Sequence, residues 1–437
     1  SLAEVRDRCP GYSPYAESMY GRPVVHYVGE QIITSHRGFG QGDSFASAGW
    51  ACGFKPIEES VAQDLHAEGL DLAWSAWMKD DGTGAGKLDA LLAWWKALQK
   101  HGTPRGYVWR ADKTVLNLPP GVTPDVVDIR KWGCVNRAGV VVYPKVRCEG
   151  WVGDDSACPL PMESLGVPVG CKASVEQYVA DKVDVAQVVF DAVAKVPHSQ
   201  VGYQLIKHAA GSCRFAYLAR NVPRGWAVDS FRRFDGALKK CFSDVTGLYP
   251  DATGWSQATM PVKMGGLGLR DVEGMRLPAW TAAALGVQRH CKLLDPSYDA
   301  ECYDDTNEHP FSDAIDCCRE LLPDFALPTD ADSPVPLHLQ KQLQLRLDEE
   351  VVRRLLADGS PLADRHRAHW QCLRLEGAGA WLTAPPDPSQ GFLFSTAAFQ
   401  VLLARRLGMP LHAPAPACEL CGAPLHEWGD HDVACPA

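Results

Sequence analysis

Apolar residues recur at helical spacing from Leu88 to about Lys100, where Leu88, Leu91, Leu92, Trp95 and Leu98 share one face and Gly102 stands where the helix would stop. A second stripe, Val175, Tyr178, Val179, Val183, Val189 and Val193, ends at Pro197. A further helix is predicted from about Gln200 to Arg220. Another, from about Leu343 to Ala357, is supported by Glu349–Arg353 and Glu350–Arg354 at four-residue spacing. Ser395 is placed to cap a last helix that Gly408 ends. The opening SLAEVRDRC also reads as helix. Extended patterns concentrate before residue 170. Val24 to Val28 and Gln31 to Thr34 flank Gly29-Glu30 as a β-hairpin. Leu72 to Trp77 alternates and runs into a charged, glycine-rich turn carrying Asp80 and Asp81 at its tip. YVWRADK reads as a strand ending at Lys113, followed by a β-rich piece from Gly139 to Arg147 and then SLGVPVG, Ser164 to Gly170. The pattern predicts an α+β protein, sheet first and helices after. The Pro- and Asp-rich stretch from Pro323 to Pro336 is the linker candidate, and no internal repeat is apparent.

Composition narrows the classes. With 437 residues, 46% of them hydrophobic, the chain has material for several packed cores and is not a disordered protein. No apolar run is long enough for a transmembrane helix, so no membrane partner is expected. Sixteen cysteines at irregular spacing do not form a disulfide scaffold, which favours a reducing compartment, nucleus or cytoplasm. The net charge of −10 is uneven: between Lys195 and Lys240 nine Lys or Arg face two Asp, a balance of +7 that leaves −17 for the rest. A basic segment in an acidic protein suits a groove for a polyanion, with Lys207, Arg214, Arg220, Arg232 and Arg233 as candidate contacts; a solvated helical face has the same composition.

Two stretches carry recognisable chemistry. In HRGFGQGDSFASAGWACGF, Gly38, Gly40 and Gly42 allow a tight turn and close approach to a ligand, and Asp43 or Ser44 can cap the helix that follows. A glycine turn opening a helix is a candidate phosphate cradle. At the other end, Cys418-x2-Cys421-x9-His431-x3-Cys435 has the spacing of a tetrahedral Zn²⁺ site, with His426 as an alternative to His431. So short and polar a piece would fold only with the metal bound. The remaining cysteines, Cys317-Cys318 included, show no such grouping.

In order along the chain, GFGQGD, an aspartate pair in a hairpin, Lys113 and LGVPVG resemble the palm of reverse transcriptases from non-LTR retrotransposons. The similarity continues through the helical part, through MGGLGLR (Met264 to Arg270) and through GAGAWLTAPP (Gly377 to Pro386). The resemblance implies a partial palm over 1–170, a helical thumb over 171–250, a helical connector over 251–410 and a zinc knuckle over 411–437. It implies an RNA-directed DNA polymerase that adds deoxynucleoside triphosphates to a DNA primer on an RNA template. Two Mg²⁺ ions about 4 Å apart would serve the transfer, with Asp80 a direct ligand and Asp81 beside it. Gly38, Gln41, Gly42 and Asp43 would contact templating base and nucleotide, and Lys113 would neutralise pyrophosphate. The last cysteines resemble the knuckle that precedes a restriction-like endonuclease in such elements, which implies a nuclease downstream. Some positions depart from the family: Ser44 replaces a proline, Met78 an aromatic and Lys79 a small residue. The family's third metal-binding aspartate comes from a strand upstream of the opening helix, and Asp7 sits too late to replace it. The chain therefore reads as a fragment unable to complete the two-metal site. A degenerate protein that only binds nucleic acid, and an α+β protein with a structural zinc, are the alternative readings.

Overall fold

A computed structural model describes residues 2–35, 44–78, 80–119, 122–147, 162–298, 309–328, 334–357, 364–411, 417–425, 427–429, 431 and 435. The fold is mixed α+β, mostly helical, with small sheets, and it divides into two compact units, Ser1–Leu165 and Gly166–Ala437.

In the first unit, α1 (Leu2–Arg8) and α2 (Ser13–Tyr20) precede the predicted hairpin, β1 (Val24–Val28) and β2 (Gln31–Ser35), which turns at Gly29 with φ 60°. Next come α3 (Ala46–Ala67), the hairpin β3 (Trp74–Met78) and β4 (Asp81–Ala85), and α4 (Leu88–Gly102). Short strands β5 (Val115–Asn117), β6 (Cys134–Val135), β7 (Val141–Val142) and β8 (Lys145–Arg147) complete the described part, with β6–β7 antiparallel and β5–β8 parallel. Every sheet among the described residues has two strands. The expected antiparallel sheet is thus replaced there by separate two-stranded ladders. Segments of two to five residues, one of them (β4) holding two glycines, offer too little side-chain surface to recruit further strands.

The core of this unit comes from its two long helices. Phe54, Ile57, Val61 and Leu65 of α3 meet Ala97 and Leu98 of α4, with Trp77 and Trp94 against them. On its other side α4 sends Trp95 into a second cluster with Leu116 and Trp132, where the indole Nε1 donates to the Trp132 carbonyl at 2.8 Å. Gly102 does not end α4 by a left-handed turn. A Cβ there would lie 2.5 Å from the Trp109 ring, and the chain turns at Gly106, φ 89°, after one 3-10 turn. Ser44 is not the cap of α3, whose first flanking residue is Phe45, without a side-chain cap; Asp43 lies outside the described residues.

A hairpin follows at SLGVPVG, β9 (Met162–Ser164) to β10 (Val167–Val169), through Leu165 and Gly166 in left-handed conformation. In the second unit α5 (Lys172–Val193) buries Val175, Val179, Val183, Ala186, Phe190 and Val193, the predicted stripe with its middle corrected. The predicted Gln200–Arg220 helix is broken. The chain forms α6 (Ser199–Leu205), a π turn over Ile206–Ala210, a 3-10 turn and α7 (Ala216–Asn221). The break falls at Gly211, where a Cβ would stand 2.5 Å from the Ile206 carbonyl oxygen. Then come α8 (Val228–Thr246), α9 (Ala252–Thr259), α10 (Val272–Leu294), α11 (Pro310–Leu321), α12 (Leu339–Leu356), α13 (Asp364–Leu373) and α14 (Thr396–Arg406).

One cluster runs from Val175 on α5 through Phe231, Phe234 and Phe242 on α8 to Phe399, Leu403 and Leu407. The regions read as thumb and connector therefore share a core. The linker candidate is not free either: Phe325 and Leu327 pack against Leu285, Leu339 and Leu343. On α12, Arg353 and Arg354 both pair with Glu350, which they pull down to about 2, while Glu349 pairs with Arg346; only one predicted spacing is realised. Ser395 caps α14 by accepting from the Ala398 amide, and Gly408 ends it at φ 62°.

The two glycine motifs meet at a buried polar hub. MGGLGLR is threaded into the core, with Leu267 and Leu269 buried and their amides donating to the Ala258 carbonyl at 3.1 and 3.2 Å. Arg406, 2% exposed, donates from Nε to Gly266 O at 3.0 Å, from Nη2 to Val262 O at 2.8 Å and from Nη1 to Ala378 O at 3.1 Å. Its guanidinium thus joins MGGLGLR to GAGAWLTAPP. Gly379 is small for the same reason: a Cβ there would lie 2.2 Å from Val262. Gln257 donates to Gly265 O and Arg406 O, and the His366 ring meets its Oε1 at 2.9 Å.

Burial, and then His369, push the His366 imidazole below its usual range. The unfolded state therefore binds the proton more tightly, so stability rises with pH across the window below about 6.5 and is lost on acidification through it. The urea midpoint of the parent is expected to fall more between pH 7.5 and pH 5.5 than that of His366→Gln. Equal slopes would remove His366 from the acid response.

Candidate functional site

At the C-terminal end, Cys418 to Gly422 forms a tight turn. The Gly422 amide donates to Cys418 O at 2.8 Å, Gly422 takes φ 72°, and the Cys418 amide donates to Ala423 O at 2.8 Å. Ala417 bridges Pro424 across it. The turn faces His431 and Cys435. One ligand atom from each of Cys418, Cys421, His431 and Cys435 lies within 4.8 Å of all the others. Tetrahedral bonds of about 2.3 Å to zinc would hold two sulfurs about 3.8 Å apart, and Cys418 Sγ and Cys435 Sγ are 3.8 Å apart. Cys421 Sγ and His431 Nε2 are 3.1 Å apart, so a small ring rotation admits the ion. Backbone amides of Cys421 and Leu420 pull the Cys418 thiol down to about 6, towards the thiolate that metal binding requires. The cluster can hold a metal ion such as zinc, and the residues fit it. His426 lies outside the described residues. Among the described residues, contacts tie this module to the helices: Arg405 Nη1 donates to Gly429 O at 2.9 Å, and the Arg365 guanidinium lies 5.1 Å from the Trp428 ring centroid.

The carboxylate hairpin is present with a shifted register. Met78 pairs with Asp81, so Asp81 opens β4 and Asp80 stands in the turn before it. Both aspartates are exposed, and Lys79 lies outside the described residues. The glycines of β4, poor strand formers, have a packing role. Gly82 pairs with Trp77, whose ring would stand 2.3 Å from a Cβ at that position, and the Trp94 ring would stand 2.9 Å from one at Gly84. Indoles laid over glycines replace the missing side-chain pairs. Gly82→Val is expected to destabilise the first unit by about 1–3 kcal/mol through overpacking. Denaturant titration would show it, and an unchanged midpoint would mean that Trp77 swings away freely.

The other residues singled out by sequence are dispersed. Lys113 ends the 3-10 turn Ala111–Lys113, not a strand, and is exposed; among the described residues no ion pair or hydrogen bond joins it to Asp80 or Asp81. Asp80 and Asp81 are joined by no third acidic, Cys or His ligand among the described residues, so the donors for a Mg²⁺ pair are only partly supplied there. Gly38, Gln41, Gly42 and Asp43 lie outside the described residues.

The basic segment is largely engaged within the fold. Lys207 is half-buried, donates to Leu382 O at 3.3 Å and is pushed below its usual range by burial. Arg220 donates to Gln340, and Arg233 donates to Ala180 O at 2.9 Å and pairs with Asp184 at 3.0 Å. Lys239 lies over Trp255, Lys240 pairs with Asp244, and exposed Arg232 stands 4.0 Å from Asp229. Arg214 is exposed. Local charge counts overstate the free positive surface, because they do not register partners distant in sequence.

Sequence reading missed Arg406, Gln257 and Arg270, which pairs in two-pronged fashion with the 4% exposed Asp348 carboxylate. An arginine among apolar residues near a helix end was the available signal for Arg406. Cys171, ungrouped by spacing, is disulfide-bonded. No helix of the described residues is long and apolar enough to cross a membrane. The chain matches no protein-family model and no curated protein.

Proposed function

We propose that this chain is part of an RNA-directed DNA polymerase of the non-LTR retrotransposon kind, with a zinc-stabilised module at its C-terminal end. The observation that carries the reading is the β3–β4 hairpin, which puts two adjacent exposed carboxylates at the tip of a rigid, tryptophan-backed turn. Hard divalent cations prefer such oxygen donors, and nucleotidyl transfer needs them held without play. Mg²⁺, an RNA template, a DNA primer and deoxynucleoside triphosphates are the partners this reading requires, in nucleus or cytoplasm. A second reading has its own support. The only group of three or more metal-type ligands among the described residues is the Cys/His cluster, which favours a protein that binds nucleic acid without copying it.

Primer extension separates them. Joined to an upstream segment that supplies the third metal-binding aspartate, the chain with Mg²⁺ is expected to extend a DNA primer on an RNA template, and Asp80→Ala in that longer protein to reduce extension to background. Salt-dependent RNA binding without extension, unchanged in Asp80→Ala and weakened by charge reversal at Arg232 and Arg233, would establish the second reading instead.

A further inference from the structure

Cys9 and Cys52 are 43 positions apart in sequence, yet their sulfurs lie 3.5 Å from one another. Cys9 follows α1 and flanks the 3-10 turn Pro10–Tyr12, and Cys52 sits near the start of α3. Around them Val5, Ala16 and Phe45 form a small apolar cluster. The placement is fixed from a second point: Arg8, next to Cys9, pairs with Glu59 at 2.9 Å, two turns further along α3. Ion pair and cluster together hold α1 in one register on α3, with the sulfurs facing. A disulfide needs its sulfurs at about 2.05 Å, so closure asks for an approach of roughly 1.5 Å, within the reach of side-chain rotation.

We propose that Cys9 and Cys52 form a redox-sensitive clip that locks α1 onto α3. The oxidant is a small-molecule disulfide of the glutathione class. Cys9, half-buried, is the more accessible thiol, and burial pushes the 7% exposed Cys52 thiol up, so the first attack falls to Cys9. Its thiolate attacks one oxidant sulfur, forms a mixed disulfide and releases one thiol. Cys52, losing its proton to solvent, then attacks the Cys9 sulfur and expels the second thiol. Two protein thiols are oxidised, and one disulfide is reduced to two thiols. The bond would close a loop containing α2, both strands of the first hairpin and the start of α3, so it would restrain both ends of that segment together.

The test uses the full zinc-loaded chain, equilibrated in glutathione buffers from reducing to oxidising, trapped by alkylation and mapped by peptide mass. A Cys9–Cys52 linked peptide, lighter by two hydrogens, is expected at the oxidising end and should vanish on dithiol treatment. Trypsin cleavage within 1–67 is expected to slow by at least about tenfold in the linked form, the low end of what such cross-links achieve. Cys9→Ser and Cys52→Ser should each remove both the link and the slowing. Full alkylation of both thiols at the oxidising end, with the helical circular dichroism intact, would overturn the proposal. So would a link that leaves cleavage unchanged. Oxidised and reduced parent are compared as one chain, so the outcome stands even if a serine variant folds poorly.

Discussion

The purified chain is expected to carry one tightly held Zn²⁺ ion, and Cys421→Ser to weaken that binding by more than about 100-fold. Three cysteine sulfurs and one imidazole are already gathered within bonding range, beside a turn whose amides favour negative charge on Cys418. Among the described residues the main core of the second unit reaches only to Leu407 and Met409, so the module beyond adds little apolar burial there and is expected to depend on the ion for order. Chelation should therefore expose the chain beyond residue 411 to protease while leaving the main unfolding transition nearly in place. Elemental analysis, limited proteolysis and a thermal melt check the three statements separately. A module that resists protease equally with and without chelator would sink the metal reading. Affinity should also fall on acidification, since each cysteine thiol must give up its proton to bind the ion.

Arg406→Ala is expected to be among the most damaging single substitutions in the second unit, by about 3–5 kcal/mol. It would orphan the Gly266 carbonyl in the core and take their donor from the part-buried carbonyls of Val262 and Ala378, a fully buried unsatisfied acceptor costing about 1–3 kcal/mol before relaxation and a part-buried one less. Arg406→Lys should recover little, because a single ammonium on a flexible stem cannot reproduce a planar fork aimed at three separate oxygens. Urea unfolding of the two variants beside the parent measures this. A loss below about 1 kcal/mol for the alanine variant would mean that water replaces the guanidinium without penalty, and that the hub is not what joins the two glycine motifs.

Legibility followed the range of the interactions. The stripe on α5, the face of α4, the Gly29 hairpin and the cap and stop of α14 are all encoded within a few residues, and each was readable. The Cys/His cluster that could hold a metal ion was also readable, because the spacing of its four residues is itself the signal. What escaped depends on distant partners. Gly102 and Gly379 look like helix stops or loop residues but are small to admit Trp109 and Val262. Lys207 and Arg233 read as free charge until the carbonyls of Leu382 and Ala180 are placed beside them. The helix expected over Gln200–Arg220 has adequate local propensity and breaks at Gly211, where the backbone folds back on Ile206.

Arg405 and Arg406 are neighbours in sequence yet serve opposite directions, one reaching out to Gly429 and the other in to the hub. Successive helical residues are offset by about 100°, so α14 cannot rotate appreciably without breaking one attachment or both. The Cys/His module is consequently no bead on a string. It should tumble with the helical body as one particle, its backbone amides relaxing at the slow rate of the large unit, and a load applied to it would be passed through Arg405 and Arg406 to MGGLGLR.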